Sequence, residues 1–227
     1  MSRAGPVRGV FVTGTGTEVG KTMVAAAIAR TAAAAGRSVA VFKPAVSGLD
    51  DLGGAEPDHE LLRRAAGSSQ TDDEIAPYRY GPPVSPHLGA ELAAEPIDPE
   101  RLRRAAREAA AGADLLVAEG VGGLLVPLTS EYLVRDLACD LGLPVAVAAP
   151  PGLGTINHTL LTLQSLRAAG LEVAMVVLTP WPDQPDRVTR SNRATIAGLG
   201  AVEVAALPRF DPSASDGWPP LPLPGSA

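Results

Sequence analysis

Short, almost continuously apolar runs recur along this chain, separated by longer segments rich in alanine, leucine and arginine. Apolar runs without alternation suit strands that are covered on both faces, and the intervening segments have helical spacing. The pattern predicts strands at Gly9–Thr13, Ser38–Phe42, Leu115–Glu119, Val145–Ala149, Val173–Thr179 and Val202–Leu207. We therefore expect a single-domain α/β fold, with a mostly parallel, doubly wound sheet, helices on both faces and function at the carboxyl ends of the strands.

The segment after the first predicted strand, TGTGTEVGKT, indicates a phosphate-binding loop of the P-loop NTPase type. The usual motif places four residues between its first glycine and Gly-Lys-Ser/Thr, but here five separate Gly14 from Gly20 and three separate Gly16 from it. A long helical segment follows, so backbone N–H groups and a helix N-terminus would still face an anion. In this reading Lys21 reaches the phosphates and Thr22 binds Mg²⁺; an ordinary glycine-rich turn is the alternative.

Lysine is rare in this chain, because 17 of its 19 basic residues are arginine. The two lysines are Lys21, in the loop, and Lys43, in FKPAVSG at the end of the second predicted strand. Where arginine is tolerated elsewhere, a retained lysine indicates a position that needs a compact ammonium on a flexible stem. We interpret both as functional, against the alternative that two surface lysines survived by chance.

Two acidic residues are candidate metal ligands. Glu119 ends an apolar run in ADLLVAEGVGG, and glycines after it allow close backbone approach to a phosphate or substrate. Asp58 opens a helix in EPDHELL, where a simple cap is an equally good interpretation from the residues alone. Glu119 could likewise be only a cap or a surface group. The three histidines show no metal-ligand spacing, so zinc is not supported.

Composition narrows the classes of partner and location. The net charge of −6 and the pI of about 5.1 give no general positive field for nucleic acid or an anionic membrane, so we expect small-molecule partners. Cys139 is the single cysteine, which excludes an internal disulfide, and we expect it to be a buried structural thiol. We see neither a signal peptide nor a membrane span and expect a cytoplasmic protein.

The sequence also predicts a capped helix, two long loops and a boundary between the domain and a C-terminal tail. Asp98 should cap a helix that starts at Pro99 and ends at Gly112. The segments 43–57 and 78–87 read as long loops of the kind that bind substrates. We assign residues 1–207 to the P-loop domain and residues 208–227 to a proline-rich tail that is either a cover or a disordered end.

The motifs together resemble the dethiobiotin synthetase family over nearly the whole chain. They are VTGTGTEVGKT with its lengthened spacing, FKPAVSG, PDHELL, SPH, AEGVGGLLVPL and GLGTINHTLLT, in the family's order. The resemblance implies an ATP- and Mg²⁺-dependent cyclo-ligase of biotin biosynthesis. It would convert 7,8-diaminopelargonate and CO₂, or bicarbonate, to dethiobiotin through a carbamate and its phosphorylated anhydride.

The resemblance also implies roles for individual residues. Lys43 and Lys21 would be catalytic, and Thr22, Asp58 and Glu119 would hold Mg²⁺. The implied nucleotide-binding residues are Glu18, Val19, Gly20, Lys21, Thr22, Asp58, Glu119, Gly120, Val121, Gly122, Thr179, Leu207 and Pro208. The implied substrate-binding residues are Thr17, Ser47, Gly154, Thr155, Ile156 and Asn157, the last four acting across the interface of a homodimer.

Two positions depart from the family's pattern. Val121 stands where alanine is frequent, and its bulk would crowd the diamine pocket. Thr179 stands where several members have an asparagine that reads adenine. The second departure predicts relaxed selectivity, with other nucleoside triphosphates accepted beside ATP.

Two other classes of protein remain as alternatives. A partitioning or regulatory P-loop ATPase usually has a further lysine early in the loop, and Thr15–Glu18 contains none. An amide ligase of the cobyrinate type normally carries an additional glutaminase domain, for which 227 residues leave no room. The substrates that stimulate ATP hydrolysis distinguish the three classes.

Overall fold

A computed structural model describes residues 8–214 and 217–223 of the chain. Residues 1–7, which we assigned to the domain, and residues 215–216 and 224–227 of the predicted tail lie outside the described residues. Within the described ranges, no helix combines the length and the apolar character that crossing a bilayer requires.

Six parallel strands form one sheet in the order β2-β3-β1-β4-β5-β6. The strands are β1 (Gly9–Gly14), β2 (Val39–Phe42), β3 (Leu115–Glu119), β4 (Val145–Ala149), β5 (Val173–Trp181) and β6 (Val204–Pro208). All six predicted strands are therefore present, and the fold class is confirmed. The last strand begins two residues later than predicted, because a turn at the end of the preceding helix takes up Val202.

Eight α-helices connect and cover the strands within the described residues. They are α1 (Lys21–Ala34), α2 (Asp58–Ala66), α3 (Asp72–Ile75), α4 (Pro86–Leu92), α5 (Pro99–Ala111), α6 (Val134–Leu141), α7 (Thr155–Ala168) and α8 (Arg187–Gly200). Asp98 caps α5 as predicted, by accepting a hydrogen bond from the Glu100 N–H. The predicted loop 78–87 is shorter than expected, because Pro86 already occupies the first turn of α4, where its missing N–H costs nothing.

The helices cover both faces of the sheet, and each face has its own apolar core. On one face α1 and α2 pack against Val10, Val12 and Val117. On the other face α5, α6, α7 and α8 pack against Phe11, Leu116 and Val147. Because both faces are dry, the strands need no polar alternation, which explains why they read as apolar runs.

The described part of the proline-rich segment after β6 has no regular secondary structure but is packed against the domain. Leu221 is buried in the core on the α1 side, and its N–H donates to the Thr31 hydroxyl at 2.8 Å. Trp218 packs beside Phe210, with 5.0 Å between ring centroids. Of the two alternatives for the tail, these residues support a cover.

Cys139 corrects one expectation. It was predicted to be buried, but it lies exposed near the end of α6. The helix turns Leu137, Ala138 and Leu141 toward the core, so the helical period leaves Cys139 on the outer face.

Candidate active site

The register of the sheet brings the ends of β1, β2 and β3 together. Val12 of β1 pairs with Glu119 of β3, and Phe42 of β2 pairs with Ala118. Lys43 therefore follows β2 at the level of Glu119, and the glycine-rich loop leaves β1 on the other side of the same carboxylate. The site lies where strand order reverses around β1, the usual position of ligand sites in open parallel sheets.

The glycine-rich loop after β1 folds back on the lysine that follows it. The Lys21 ammonium donates to the Gly16 carbonyl at 2.8 Å, and Lys21 is 7% exposed. Burial lowers the pKa of Lys21 below its ordinary value, although the nearby Glu119 opposes that change. Glu18 and Gly20 both have positive φ, at 58° and 88°. The loop is thus a tight backbone nest at the start of α1, which is a geometry that receives phosphate.

Lys43 bridges two carboxylates that come from different elements. Its ammonium lies 2.7 Å from Glu119 Oε1 and 2.5 Å from Asp58 Oδ2. Burial opposes the charge on Lys43, but Glu119 and Asp58 outweigh it and hold its pKa above the ordinary value. Lys43 is only 4% exposed and is therefore a fixed buried cation, not a surface lysine. The chance-survival alternative for the two lysines does not fit this placement.

The two carboxylates differ in their surroundings. Glu119 is fully buried, and burial raises its pKa, while the Asp58 side chain is 42% exposed. Burial alone would raise the pKa of Asp58, but the attraction of Lys43 overrides that effect and lowers it. Asp58 is the first residue of α2, after the capping position Pro57, so it is not itself the helix cap.

The donor set around Glu119 fits a magnesium ion. Glu119 Oε1 accepts from the Thr22 hydroxyl at 3.0 Å, whereas its buried Oε2 has no hydrogen-bond partner within the described residues. A buried carboxylate oxygen without a partner is costly unless a cation or a ligand satisfies it. With Asp58 it offers the hard oxygen ligands that Mg²⁺ prefers, and both acids already hold one cation, the Lys43 ammonium.

The remaining predicted nucleotide residues differ in their placement. Thr179, at 4% exposed, lies so close to Gly20 that a Cβ there would come within 2.6 Å of its methyl group. Leu207 is buried in the core, so only its backbone is available to a base, while Pro208 is half-buried. Gly120–Gly122 follows Glu119 directly, and Val121 packs against the core.

The predicted substrate residues divide into two groups. Thr17 is exposed at the loop tip, where it borders a groove of about 380 Å³ together with Leu125 and Leu161 of α7. Ser47 lies half-buried in the loop after β2. The segment 154–157 forms the first turn of α7, in which Gly154 and Asn157 are exposed and Thr155 is buried. Among the described residues, no hydrogen bond or ion pair joins Ser47 or this turn to the lysine–carboxylate cluster.

Two loop glycines contribute to the site but were not among the predicted site residues. Gly16 supplies the carbonyl that holds Lys21. A Cβ on Gly14 would lie 2.6 Å from Val19 and 2.9 Å from the Lys21 stem. Their signal was visible in the repeated glycines of TGTGTEVG, which a fixed-spacing motif does not assign to roles.

Replacing Gly20 should test how tightly the loop is built. We expect Gly20→Ala to lower the free energy of unfolding by about 2–4 kcal/mol and to weaken nucleotide binding, because positive φ costs a side chain about 1–2 kcal/mol and the Thr179 contact adds to it. Gly36→Ala is the matched control, since Gly36 has φ +81° with open space around it. Denaturant unfolding of both variants measures the difference. Equal losses would show that the Thr179 contact is unimportant.

Comparison with known proteins matches one family model, described as an AAA domain, over residues 8–213. An ATP-dependent dethiobiotin synthetase from Anaeromyxobacter dehalogenans strain 2CP-1 is 45% identical over 91% of this chain and 92% of its own length. One from Rhodococcus erythropolis is 41% identical over 87% of this chain and 86% of its own length.

Among solved structures, the cell division ATPase MinD of Pyrococcus furiosus aligns with a TM-score of 0.54 and 17% identity, covering 89% of this chain and 84% of that one. A chain of the Aquifex aeolicus MinC:MinD complex gives 0.55 at 14% identity, covering 89% and 82%. At these identities the likeness concerns the fold alone.

Proposed function

The chain belongs to the AAA-domain family whose model it matches and, within it, to the ATP-dependent dethiobiotin synthetases, and on that premise we propose how its residues carry out the ligase reaction. The substrates would be 7,8-diaminopelargonate, CO₂ and ATP. One amine of the diamine adds to CO₂ and loses a proton to give a carbamate. ATP phosphorylates the carbamate oxygen, and the second amine attacks the carbonyl carbon, expelling phosphate and closing the ureido ring.

The observation that carries this proposal is the buried cluster of Lys43, Glu119 and Asp58 beside the Thr22 hydroxyl and the Lys21 ammonium. Phosphoryl transfer between two anions needs positioning and neutralisation of charge more than it needs covalent chemistry by the protein. The cluster provides two buried ammonium groups, one buried carboxylate and one carboxylate that is partly open to solvent. A glycine-rich turn without phosphate function has no use for such a cluster.

Each loop residue has a part in binding the triphosphate. The backbone of Glu18–Thr22 and the start of α1 would hold the phosphates, and Lys21 would turn from the Gly16 carbonyl toward their oxygens. Thr22, Asp58 and Glu119 would hold Mg²⁺, which neutralises phosphate charge when bound. Gly120–Gly122 would pass close to the same phosphates because the segment leaves β3 without bulky polar groups.

Lys43 would stabilise the carbamate and the phosphoryl group in transfer. Its pKa stays above the ordinary lysine value because Glu119 and Asp58 outweigh burial, so it acts as a fixed positive charge and not as a base. Thr17 and Ser47 would contact the diamine. Val121, where alanine is frequent in the family, would narrow the pocket beside it.

A homodimer would complete the substrate site. The first turn of α7, Gly154–Asn157, would donate hydrogen bonds from its N–H groups to the carboxylate of a substrate that is bound in the site of the partner subunit. Support comes from apolar side chains around it, since Leu153 is 97% exposed and Leu125 and Leu161 are each 55% exposed. Single exposed leucines are normal in a monomer, but Leu125 and Leu161 line one groove, and such a grouping suits an interface. Sedimentation of Leu161→Glu should show monomers if this face is the interface.

The activity itself is tested by the dependence of phosphate release on substrates. We expect ATP hydrolysis to require the diamine together with bicarbonate and to yield one dethiobiotin per phosphate. Stimulation by glutamine would instead indicate an amide ligase, and stimulation by a protein partner would indicate a regulatory ATPase. The cytoplasmic location stays a prediction.

Nucleotide selectivity should be relaxed. A threonine hydroxyl offers one short donor–acceptor group, whereas an asparagine amide offers a donor and an acceptor to one edge of adenine. Thr179 is also held against Gly20 in a buried position. We expect CTP and other nucleoside triphosphates to support turnover within about tenfold of ATP, a difference of about 1.4 kcal/mol. Rates at equal concentrations measure this, and a strict preference for ATP would assign base reading to the backbone near Leu207 and Pro208.

A further inference from the structure

The outer edge of β2 has an unusual arrangement of hydrogen bonds. In a β-strand, the N–H and C=O of one residue point to the same side of the strand, and successive residues alternate between the two sides. The Ser38 carbonyl accepts from Leu115 of β3, so Ser38, Ala40 and Phe42 face β3. Val39, Val41 and Lys43 therefore face outward, away from the sheet. In agreement, the Lys43 N–H donates to the Ile75 carbonyl at 2.8 Å on the outer side.

A side-chain amide covers the outward groups of Val41. Gln70 Oε1 accepts from the Val41 N–H at 2.8 Å, and Gln70 Nε2 donates to the Val41 carbonyl at 3.0 Å. One edge of one carboxamide thus satisfies both groups of a single strand residue. The fold itself therefore contains an example of how this edge binds an amide.

Val39 has the same orientation one repeat earlier along the strand but no equivalent of Gln70. Within the part of the chain that the structure describes, no hydrogen bond reaches its outward N–H or carbonyl. Val39 lines a groove of about 600 Å³ between residues 67–70 and α5. That volume is in the range of small-molecule sites.

The two open groups of Val39 select a particular chemistry. A ligand must present a donor and an acceptor on the same edge, as a primary amide, a lactam or a cyclic urea does. A single trans peptide bond cannot, because its N–H and C=O point in opposite directions; a peptide could match both groups only as an extended strand that aligns one whole residue with Val39. Addition of a peptide strand needs several open residues, but Gln70 already covers Val41 and Ile75 covers the Lys43 N–H.

The charged residues of the groove favour an anionic tail on such a ligand. Asp73 is paired with Arg79, the Glu74 carboxylate accepts from Thr71, and Arg101 stacks over Tyr78. Arg104 is exposed on the groove wall and takes part in none of the ion pairs of the described residues. Glu108 lies one turn further along α5 and also lines the groove, so its negative charge weakens the attraction of Arg104 for an anion.

We propose that this groove binds a cyclic urea with a carboxylate tail, the chemical class of the product, with the ring on Val39 and the tail at Arg104. The proposal rests on the proposed function for the identity of the ligand. The groove lies away from the lysine–carboxylate cluster, and β2 connects the two through Lys43 at its end. Product held at Val39 then slows the enzyme without competing for the diamine site.

Product inhibition measured against the diamine tests the proposal. With ATP and bicarbonate saturating and ADP removed, dethiobiotin that binds only in the diamine site gives purely competitive inhibition, whereas the groove adds a noncompetitive component. We expect Arg104→Glu to raise the noncompetitive inhibition constant about tenfold and Glu108→Gln to lower it about twofold. Arg107→Glu, on the outer face of the same helix, is the matched control and should leave that constant unchanged.

Binding to purified protein locates the site without turnover. In protein labelled with ¹⁵N-valine, the Val39 amide resonance, assigned through Val39→Ile, should shift with dethiobiotin and stay fixed with its N,N′-dimethyl derivative, which has no N–H to give. Purely competitive inhibition, or equal shifts with both compounds, would overturn the site. Absence of dethiobiotin formation would instead count against the proposed function, since the binding measurement needs no reaction.

Discussion

Lys43→Arg should lower turnover about thirtyfold to a thousandfold while nucleotide affinity changes much less. The ammonium is 4% exposed and lies within 2.7 Å of two carboxylates, so a wider planar guanidinium cannot take its place without moving them. The charge is retained and its position is lost. Loss of one well-placed charged contact in phosphoryl transfer corresponds to about 2–4 kcal/mol of transition-state stabilisation.

Nucleotide binding by calorimetry and dethiobiotin formation, both on purified Lys43→Arg, separate the two effects. Lys21 and the loop backbone remain intact in this variant, so the proposed contacts with the phosphates are retained. Arg107→Lys, an exposed change on α5, controls for exchange between the two basic residue types. Turnover within a few-fold of the parent would show that position 43 requires only a positive charge.

Glu119→Gln should lower turnover at limiting Mg²⁺ about a hundredfold and raise the Mg²⁺ concentration needed for half-maximal activity. The amide removes the negative charge. Its oxygen can still accept from Thr22 and Lys43 at the Oε1 position, which places the NH₂ group at the Oε2 position, where it cannot bind a cation. Asp58→Asn should have a smaller effect. Its side chain is 42% exposed, so water can replace part of its contribution, whereas Glu119 is fully buried.

Titration of activity with Mg²⁺ and thermal melts on both variants separate metal binding from loss of fold. Glu91→Gln, on the exposed side of α4, is the control for a simple change of charge. If both variants keep the Mg²⁺ dependence of the parent, neither residue is a metal ligand.

The strands and the cluster could be predicted because their causes are local. β3 and β4 have the predicted bounds, since an apolar run between polar turns defines a doubly covered strand. Lys43 and Glu119 both follow such runs, and parallel strands end at one edge of the sheet, so their meeting follows from topology. Their distances to Asp58 do not follow, because they depend on how the loop 43–57 returns α2 to the site.

Other features depend on tertiary contacts that leave no sequence pattern. Gln70 is an unremarkable polar residue until the fold places its amide on the outer edge of β2. The exposure of Cys139 depends on which face of α6 packs against the core. The presence of a single cysteine in the sequence instead predicts a buried thiol. The division into a domain at 1–207 and a tail at 208–227 stays a prediction.

The burial of both lysines has a consequence for chemical labelling. No lysine side chain of this protein lies on its surface, since Lys21 is 7% and Lys43 is 4% exposed. Acylating reagents that modify the surface amines of most proteins would therefore meet side-chain amines only inside the proposed nucleotide site. Of these, Lys21, whose pKa is lowered by burial, is the more nucleophilic at neutral pH. Slow side-chain acylation that is suppressed by nucleotide would thus report occupancy of the site directly.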